Sequence, residues 1–181
     1  VVFGTTDTST DSLSVDLAAI EAGTGNGFVI NGVDAFDYAG RSVSDAGDVN
    51  GDGLADLIIG ADSANPNDNS NAGSSYVVFG TTDTSAIELS TLEEEGGGGF
   101  VINGADADDY SGYSVSGAGD VNGDGLDDLI VGAKDADPNG NSGSGSSYVV
   151  FGTTDTSAIE LSDIEAGTGG FVINGVDADD T

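Results

Sequence analysis

Apolar residues along this chain fall into short clusters that are separated by polar, glycine-rich segments. In the clearest stretch, four such clusters follow one another, at residues 100–104, 112–116, 128–132 and 147–151. Residues 112–116 carry apolar side chains at alternate positions, as in a strand with one buried face. The Leu-Ile-Val run within 128–132 is apolar on both faces, which is typical of an inner strand. The pattern therefore predicts an all-β chain with four strands in each unit.

Turn residues separate these predicted strands. Asn-Gly occurs at 31–32 and 103–104, and Asp-Pro-Asn-Gly occupies 137–140, which are combinations that favour tight turns. Three segments have the pattern of a short helical turn, at residues 12–21, 87–95 and 159–165. Helices are therefore expected to be a minor part of the fold.

The clusters recur with a period near 72 residues. Phe-Val-Ile-Asn-Gly begins at residues 28, 100 and 171, and Ala-Gly-Asp-Val-Asn-Gly-Asp-Gly-Leu fills both 46–54 and 118–126. This period is too long for most solenoids and suits a multistranded unit. The periodicity divides the chain into the last strand and linker of a preceding repeat, two whole repeats, and the start of a following repeat, at 1–26, 27–98, 99–170 and 171–181.

A four-stranded sheet of this length cannot bury both of its faces alone, so neighbouring sheets must cover it. Propeller-type blades of four antiparallel strands meet this requirement, with about two and a half repeats present in a larger or oligomeric assembly. A two-sheet sandwich with a duplicated sequence is the alternative.

The most specific motif is an acidic loop that occurs once in each whole repeat. In Asp-Val-Asn-Gly-Asp-Gly-Leu-x-Asp, oxygen-bearing side chains occupy positions 1, 3, 5 and 9, and glycine occupies position 6. Calcium takes six to eight oxygen ligands, and a chain that turns around one ion offers alternate side chains and the carbonyl of position 7. The predicted ligands are Asp48, Asn50, Asp52, Leu54 and Asp56 for one ion, and Asp120, Asn122, Asp124, Leu126 and Asp128 for another.

These loops differ from an EF-hand, which needs a glutamate at position 12, where this chain has Ile59 and Val131. Mg²⁺ suits the loops less well than Ca²⁺ because it requires a small octahedral shell. Acidic turns that bind nothing are the alternative for any one loop, but two full copies at the repeat period favour calcium. The other acidic groups, Asp34 with Asp37, Asp106 with Asp108 and Asp109, and 93–95, are expected to lie on solvated faces.

The composition and the net charge exclude several classes of function. The chain has 33 acidic and 2 basic side chains, a net charge of −31, and neither histidine nor cysteine. Zinc, haem and iron–sulfur sites and Cys or His nucleophiles are therefore absent. Nucleic acid and anionic membranes would be repelled. No G-x-S-x-G or phosphate-binding motif occurs, so no catalytic residue and no enzymatic activity are predicted, although carboxylate pairs could in principle serve a glycosidase.

The motifs resemble the FG-GAP repeats of the integrin α-subunit β-propeller, in the version found in bacterial secreted and surface proteins. Residues 78–80 supply the Phe-Gly, and 59–61 and 131–133 supply Gly-Ala, whereas the third position is Asp62 or Lys134 rather than proline. The resemblance covers essentially the whole chain. It implies a propeller with calcium in hairpins on one face and a role in cell adhesion or as a surface scaffold.

Three functions remain open after this comparison. The first is a calcium-binding structural or adhesive segment of a secreted or cell-surface protein, in which calcium stabilises the β blades and a surface ligand is the partner. The second is a subunit of an extracellular filament, because open blade edges invite association with other repeats or identical copies. The third is an accessory domain of a larger exported enzyme. Calcium is the expected cofactor, extracellular sites of modest affinity are expected to stay filled, and no membrane insertion is expected.

Overall fold

The computed structural model describes residues 1–3, 16–94 and 98–178. Within these ranges the chain is all-β, as predicted. The strands are β1 (Ile30–Asn31), β2 (Ser42–Gly47), β3 (Asp56–Ala61), β4 (Ser74–Val78), β5 (Ile87–Glu88), β6 (Gly99–Asn103), β7 (Ser111–Gly119), β8 (Asp128–Ala133), β9 (Ser146–Val150), β10 (Ile159–Glu160) and β11 (Gly170–Asn174).

Short helical segments fall where the sequence predicts them. The α-helices are α1 (Leu17–Glu21) and α2 (Leu161–Glu165), and a 3-10 turn at Leu89–Glu93 takes the equivalent place in the middle repeat. Two further 3-10 turns lie at Pro66–Asp68 and Pro138–Gly140. The parts of the predicted helical turns at 12–15 and 95 lie outside the described residues. No helix in the described ranges is long and apolar enough to span a membrane.

Two sheets repeat the same antiparallel order. The first runs β2, β3, β4, β6, and the second runs β7, β8, β9, β11. β10 extends the first sheet by pairing in parallel with β6, and β5 pairs in the same way with β1. The apolar strands β3 and β8 are inner strands with partners on both sides, as their sequence predicts.

The boundaries of the sheets differ from those of the sequence units. The Phe-Val-Ile-Asn strands β6 and β11 lie where the units 99–170 and 171–181 open, yet each is the fourth antiparallel strand of the preceding sheet, because β6 pairs with β4 and β11 pairs with β9. The following segment, 104–110, then crosses to the next sheet. A periodic pattern gives the length of a repeat but not the residue at which one sheet ends.

The two sheets pack face to face through a shared apolar core. Buried residues of β3, β4 and β6 meet residues of β7, β8 and β9, and α2 closes one side of this cluster. Its largest fully buried members are Val49, Ile58, Val77, Phe100, Ile102, Leu129, Val131, Tyr148, Leu161 and Ile164. Each such side chain stabilises the fold by about 1.5–3 kcal/mol relative to exposure. The junction between neighbouring sheets therefore carries much of the stability.

The opposite face of the first sheet is also covered. A second cluster contains Ile59, Tyr76 and Val78 from the sheet, together with Leu89 and Leu92 from the 3-10 turn. The first sheet is thus buried on both faces, as expected for a blade between neighbours. The second sheet differs, because Phe171 and Ile173 at its outer edge are 41% and 53% exposed.

Candidate metal-binding loops

The two acidic loops lie at the same end of the two sheets. Residues 48–55 connect β2 to β3, and residues 120–127 connect β7 to β8. In each case the loop joins neighbouring antiparallel strands, which confirms the prediction of a strand–loop–strand unit. A shift of strand register precedes each loop, at Gly47 and Gly119, which have φ angles of 78° and 69°. Glycine adopts this conformation without a steric cost.

Positions 1, 3 and 5 of the first loop turn inward onto its backbone. Asp48 Oδ2 accepts a hydrogen bond from Gly53 N at 3.0 Å, and Asn50 Oδ1 accepts one from Asp52 N at 2.9 Å. Asp52 Oδ1 accepts from Leu54 N at 2.8 Å. The structure therefore brings three of the predicted ligand side chains around one tight turn.

The second loop repeats this arrangement at the equivalent positions. Asp120 Oδ2 accepts from Gly125 N at 3.1 Å, Asn122 Oδ1 accepts from Asp124 N at 2.8 Å, and Asp124 Oδ1 accepts from Leu126 N at 2.9 Å. Gly53 and Gly125, at position 6, have φ angles of 89° and 96°, so the predicted bend at position 6 is confirmed.

Position 9 is placed differently from the other predicted ligands. Asp56 is fully buried, and its two oxygens accept from Val49 N and Gly80 N, both at 2.8 Å. Burial raises the pKa of Asp56, and the two backbone hydrogen bonds partly oppose this. Asp56 thus fastens the start of the loop to the Phe-Gly turn that follows β4.

Asp128 makes the equivalent contacts in the second repeat. Its oxygens accept from Val121 N at 2.8 Å and Gly152 N at 2.9 Å. Within residues 1–3, 16–94 and 98–178, no three acidic side chains converge into a group that could hold a metal ion. The structure therefore brings positions 1, 3 and 5 together and holds position 9 in backbone contacts.

One oxygen in the first loop fits a cation. Asp48 Oδ1 is buried and has no hydrogen-bond partner. A buried polar atom without a partner costs about 1–3 kcal/mol, and the cost is greater when the atom carries charge. Carboxylate and amide oxygens are the ligands that Ca²⁺ prefers. The donor set and this unpaired oxygen together fit a hard divalent cation.

The two loops touch each other across the junction between the sheets. Asp48 N donates to Asp127 Oδ2 at 2.8 Å, and Asp127 N donates to the Asp48 carbonyl at 3.1 Å. Asp127 also lies where any side chain at residue 47 would have to be. Sequence reasoning missed this contact, although position 8 is Ala55 in one loop and Asp127 in the other. The second loop thus supports the first residue of the first loop.

The two basic residues of the chain gather at the opposite end of the sheets. The Arg41 guanidinium lies 4.8 Å from the centre of the Tyr113 ring and 3.4 Å from Asp62 Oδ2. Lys134 Nζ lies 4.3 Å from the Tyr110 ring centre and 5.5 Å from that of Tyr113. The contact between Arg41 and Tyr113 connects the two sheets, and those of Lys134 lie within the second repeat. Sequence reasoning did not foresee these contacts.

The prediction that the remaining acidic clusters are solvated is wrong for Asp37 and Asp109, which are each only 7% exposed. They help to line equivalent cavities of about 420 and 270 Å³ in the two repeats. Burial, together with the neighbouring Asp106, raises the pKa of Asp109 to about 6. Glu93 is also not simply solvated, because it accepts a hydrogen bond from the Tyr76 hydroxyl at 3.1 Å. Glu95 lies outside the described residues.

Comparison with known proteins places these observations in a family. Residues 39–78 and 111–150 match the FG-GAP repeat. The chain is also similar to integrin alpha pat-2 of Caenorhabditis elegans, with 36% identity over 109 residues, and to integrin alpha pat-2 of Caenorhabditis briggsae, with 33% identity over 115 residues. Each alignment covers 60% of this chain and 8% of the integrin. The two matches, each on three consecutive strands of an observed sheet, show that the chain contains two FG-GAP repeats.

Proposed function

We propose that this chain is a calcium-binding structural segment of a secreted or cell-surface protein, that it serves adhesion, and that calcium stabilises its blades. The observation that carries the proposal is the buried, unpaired Asp48 Oδ1 inside a loop of oxygen donors. The residues that would hold the ions are Asp48, Asn50, Asp52 and Asp56 with the carbonyl of Leu54, and Asp120, Asn122, Asp124 and Asp128 with the carbonyl of Leu126.

Each set of residues has a separable task in this proposal. Positions 1, 3 and 5 supply oxygens from one turn, where their like charges repel one another. A bound divalent cation supplies the positive charge that offsets this repulsion. Position 9 joins the loop to the turn that follows β4 in the first sheet, through Gly80, and to the turn that follows β9 in the second sheet, through Gly152. Binding at the loop would therefore stabilise three strands of each sheet.

Similarity to integrin α chains and the charge of the protein support an extracellular adhesive role. A net charge of −31 requires screening by salt or by cations, and two Ca²⁺ ions offset only a small part of it. Loops with exposed ligands and modest affinity stay filled where calcium is abundant, as it is outside cells. The adhesion partner would be another protein, and no catalytic step is part of this role.

Calorimetric titration with Ca²⁺, combined with circular dichroism before and after chelation, tests the proposal. The wild type is expected to bind about two ions, one for each loop. The variant Asp52→Ala with Asp124→Ala is expected to lose both binding events. Mg²⁺ at the same concentrations is expected to bind far more weakly.

The chain offers a matched control for charge removal. Asp83 and Asp155 occur at the repeat period, are acidic, and cap equivalent turns by accepting from Ser85 N at 2.9 Å and Ser157 N at 3.0 Å. Asp83→Ala with Asp155→Ala removes the same charge outside the loops, so it is expected to leave calcium binding unchanged. Equal loss of binding in both double variants would show general charge screening and would contradict the proposal.

A further inference from the structure

The outer edges of the Phe-Val-Ile-Asn strands have a recurring partner. β1 pairs in parallel with β5, with Ile30 opposite Ile87 and Asn31 opposite Glu88. β6 pairs in parallel with β10, with Ile102 opposite Ile159 and Asn103 opposite Glu160. In both cases the partner is an Ile-Glu pair within the sequence Ser-Ala-Ile-Glu-Leu-Ser, at 85–90 and 157–162. The same short strand therefore covers the same edge twice.

Side-chain contacts make this pairing specific. Asn31 Nδ2 donates to Glu88 Oε1 at 2.7 Å, and Asn103 Nδ2 donates to Glu160 Oε1 at 2.8 Å. Asn67 Nδ2 adds a second donor to Glu160, at 3.0 Å to Oε2. A carboxylate that accepts from two amides makes hydrogen bonds stronger than those of neutral pairs. The asparagine that ends each strand thus recognises a glutamate in the added strand.

The third copy of this edge, on β11, has no such partner among residues 1–3, 16–94 and 98–178. Ile173 is 53% exposed, whereas its equivalent Ile102 is fully buried and packs in a cluster that includes Ile159. Asn174 Oδ1 accepts from the Ser146 hydroxyl at 3.2 Å, just as Asn103 Oδ1 accepts from Ser74 at 3.4 Å. Within those ranges the amide nitrogen of Asn174 has no acceptor.

The surroundings of this third edge match those of the second. Asn139 occupies the place of Asn67, and the two have φ angles of 57° and 55°. Both Asn139 and Asn174 line the smaller of the two acidic cavities, and in the larger cavity the equivalent asparagines lie beside Glu160. The two asparagine donors that hold Glu160 are thus repeated in the smaller cavity, where no glutamate of the described residues accepts a hydrogen bond from them.

We infer that the edge of β11, with Ile173, Asn174 and Asn139, is a docking site for an extended Ala-Ile-Glu-Leu segment supplied by a further copy of this repeat. The segment adds in parallel, as β10 does on β6. Its isoleucine covers Ile173, and its glutamate accepts from Asn174 and Asn139. Backbone pairing provides affinity, and the alternating Ile and Glu side chains provide specificity. This inference does not depend on calcium in the loops.

Electrostatics sets the conditions under which docking can be measured. Asp106, Asp109, Asp137 and Glu165 line the cavity into which the glutamate would enter. The larger cavity has Asn65 in the place of Asp137, and Glu160 lies among Asp34, Asp37 and Glu93 there. Acidic neighbours are therefore compatible with a bound glutamate, but the additional carboxylate of Asp137 weakens the approach. High ionic strength screens this repulsion.

Chemical-shift mapping with the isotopically labelled chain, in buffer with Ca²⁺ and again in buffer with a chelator, tests the inference. The probe is the peptide Thr-Asp-Thr-Ser-Ala-Ile-Glu-Leu-Ser-Asp, the sequence of residues 154–163, in about 0.5 M salt. We expect saturable shifts at the backbone amides of 171–175 and at the side-chain amide of Asn174. The side-chain amides of Asn31 and Asn103 serve as internal controls, because they already donate to glutamates and should not shift.

Substitutions in the peptide test the contacts without altering the protein, so its folding does not affect the result. Replacing its glutamate by alanine removes the acceptor of both amides and is expected to weaken binding about tenfold or more. Replacing its isoleucine by serine is expected to weaken it similarly, because the cover over Ile173 is lost. In the protein, Asn174→Ala alters an exposed residue and should abolish the preference for glutamate.

Three outcomes would overturn the inference. One is the absence of shifts at millimolar peptide. Another is equal binding of the glutamate and alanine peptides, with shifts spread over the acidic surface. The third is a dimer, detected by sedimentation, that does not dissociate when the peptide is added. In that case a second copy of the chain would cover the β11 edge in another arrangement.

Discussion

Asp56→Asn should destabilise the protein even when no metal is present. Asp56 is fully buried, and its two oxygens accept from Val49 N and Gly80 N at 2.8 Å. Asparagine keeps one acceptor oxygen and presents an N–H to the other backbone donor. Leaving one buried donor unsatisfied costs about 1–3 kcal/mol, and loss of the charged acceptor on the other bond adds about 1 kcal/mol. We therefore expect the free energy of unfolding to fall by about 2–4 kcal/mol.

Urea denaturation in a chelator with 0.5 M salt, followed by circular dichroism, measures this effect. Asp52→Asn is the control, because it lies in the same loop but is exposed, and it should cost less than about 1 kcal/mol in chelator. In saturating calcium, both variants should lose the part of the stability that metal binding supplies. If Asp56→Asn changed the stability only when calcium was present, position 9 would act as a metal ligand alone and the structural argument would be refuted.

Three further predictions concern the junction between the sheets and the buried carboxyl groups. Asp127→Ala should weaken calcium binding at the first loop and leave binding at the second loop unchanged, because Asp127 supports Asp48. Calorimetry that resolves the two binding sites measures this difference, and equal weakening at both loops would contradict the prediction. Lowering the pH from 7 to 5 in chelator should raise the stability contributed by Asp109 by about 1 kcal/mol. The folded pKa of Asp109, about 6, exceeds its unfolded value, so this stability is lost as the pH rises through the folded pKa. Asp109→Asn should remove that pH dependence, and an unchanged profile would refute the assignment. Tyr113→Leu should lower the free energy of unfolding by about 1–2 kcal/mol, because its contacts with Arg41 and Lys134 are lost. Thermal unfolding measures this loss, and Arg41→Met, measured in parallel, should show a smaller one.

Local patterns in the sequence predict the strands and loops well. Alternation and β-branched runs predict the strands, and spacing predicts that 48–55 and 120–127 are turns between neighbouring strands. Such features depend on residues close together in the chain. The packing of neighbouring sheets also follows from the repeat, because each sheet has two apolar faces.

Contacts between distant residues could not be predicted in the same way. Asp127 meets Asp48 only because the second loop crosses the junction, and the sequence shows merely that position 8 differs between the copies. Asp37 and Asp109 belong to charged clusters that suggest a solvated surface, yet the strands around them bury both. Burial of a polar residue depends on three-dimensional neighbours, which hydrophobic patterning does not encode. The calcium ligands themselves stay a prediction.

The offset between sheet and sequence unit has a consequence for how such arrays can be divided. Since β6 completes a set of four antiparallel strands whose other three come from the preceding unit, a fragment that ends at residue 98 would lose β6 and expose the edge of β4. A cut within 104–110 would keep the four antiparallel strands of each sheet together, although it would separate β10 from β6. Unfolding of one unit therefore removes a strand from its neighbour, so adjacent units should melt as one cooperative block. A duplication or deletion of exactly one period preserves the strand order of every sheet, whichever residue the duplicated or deleted stretch starts from.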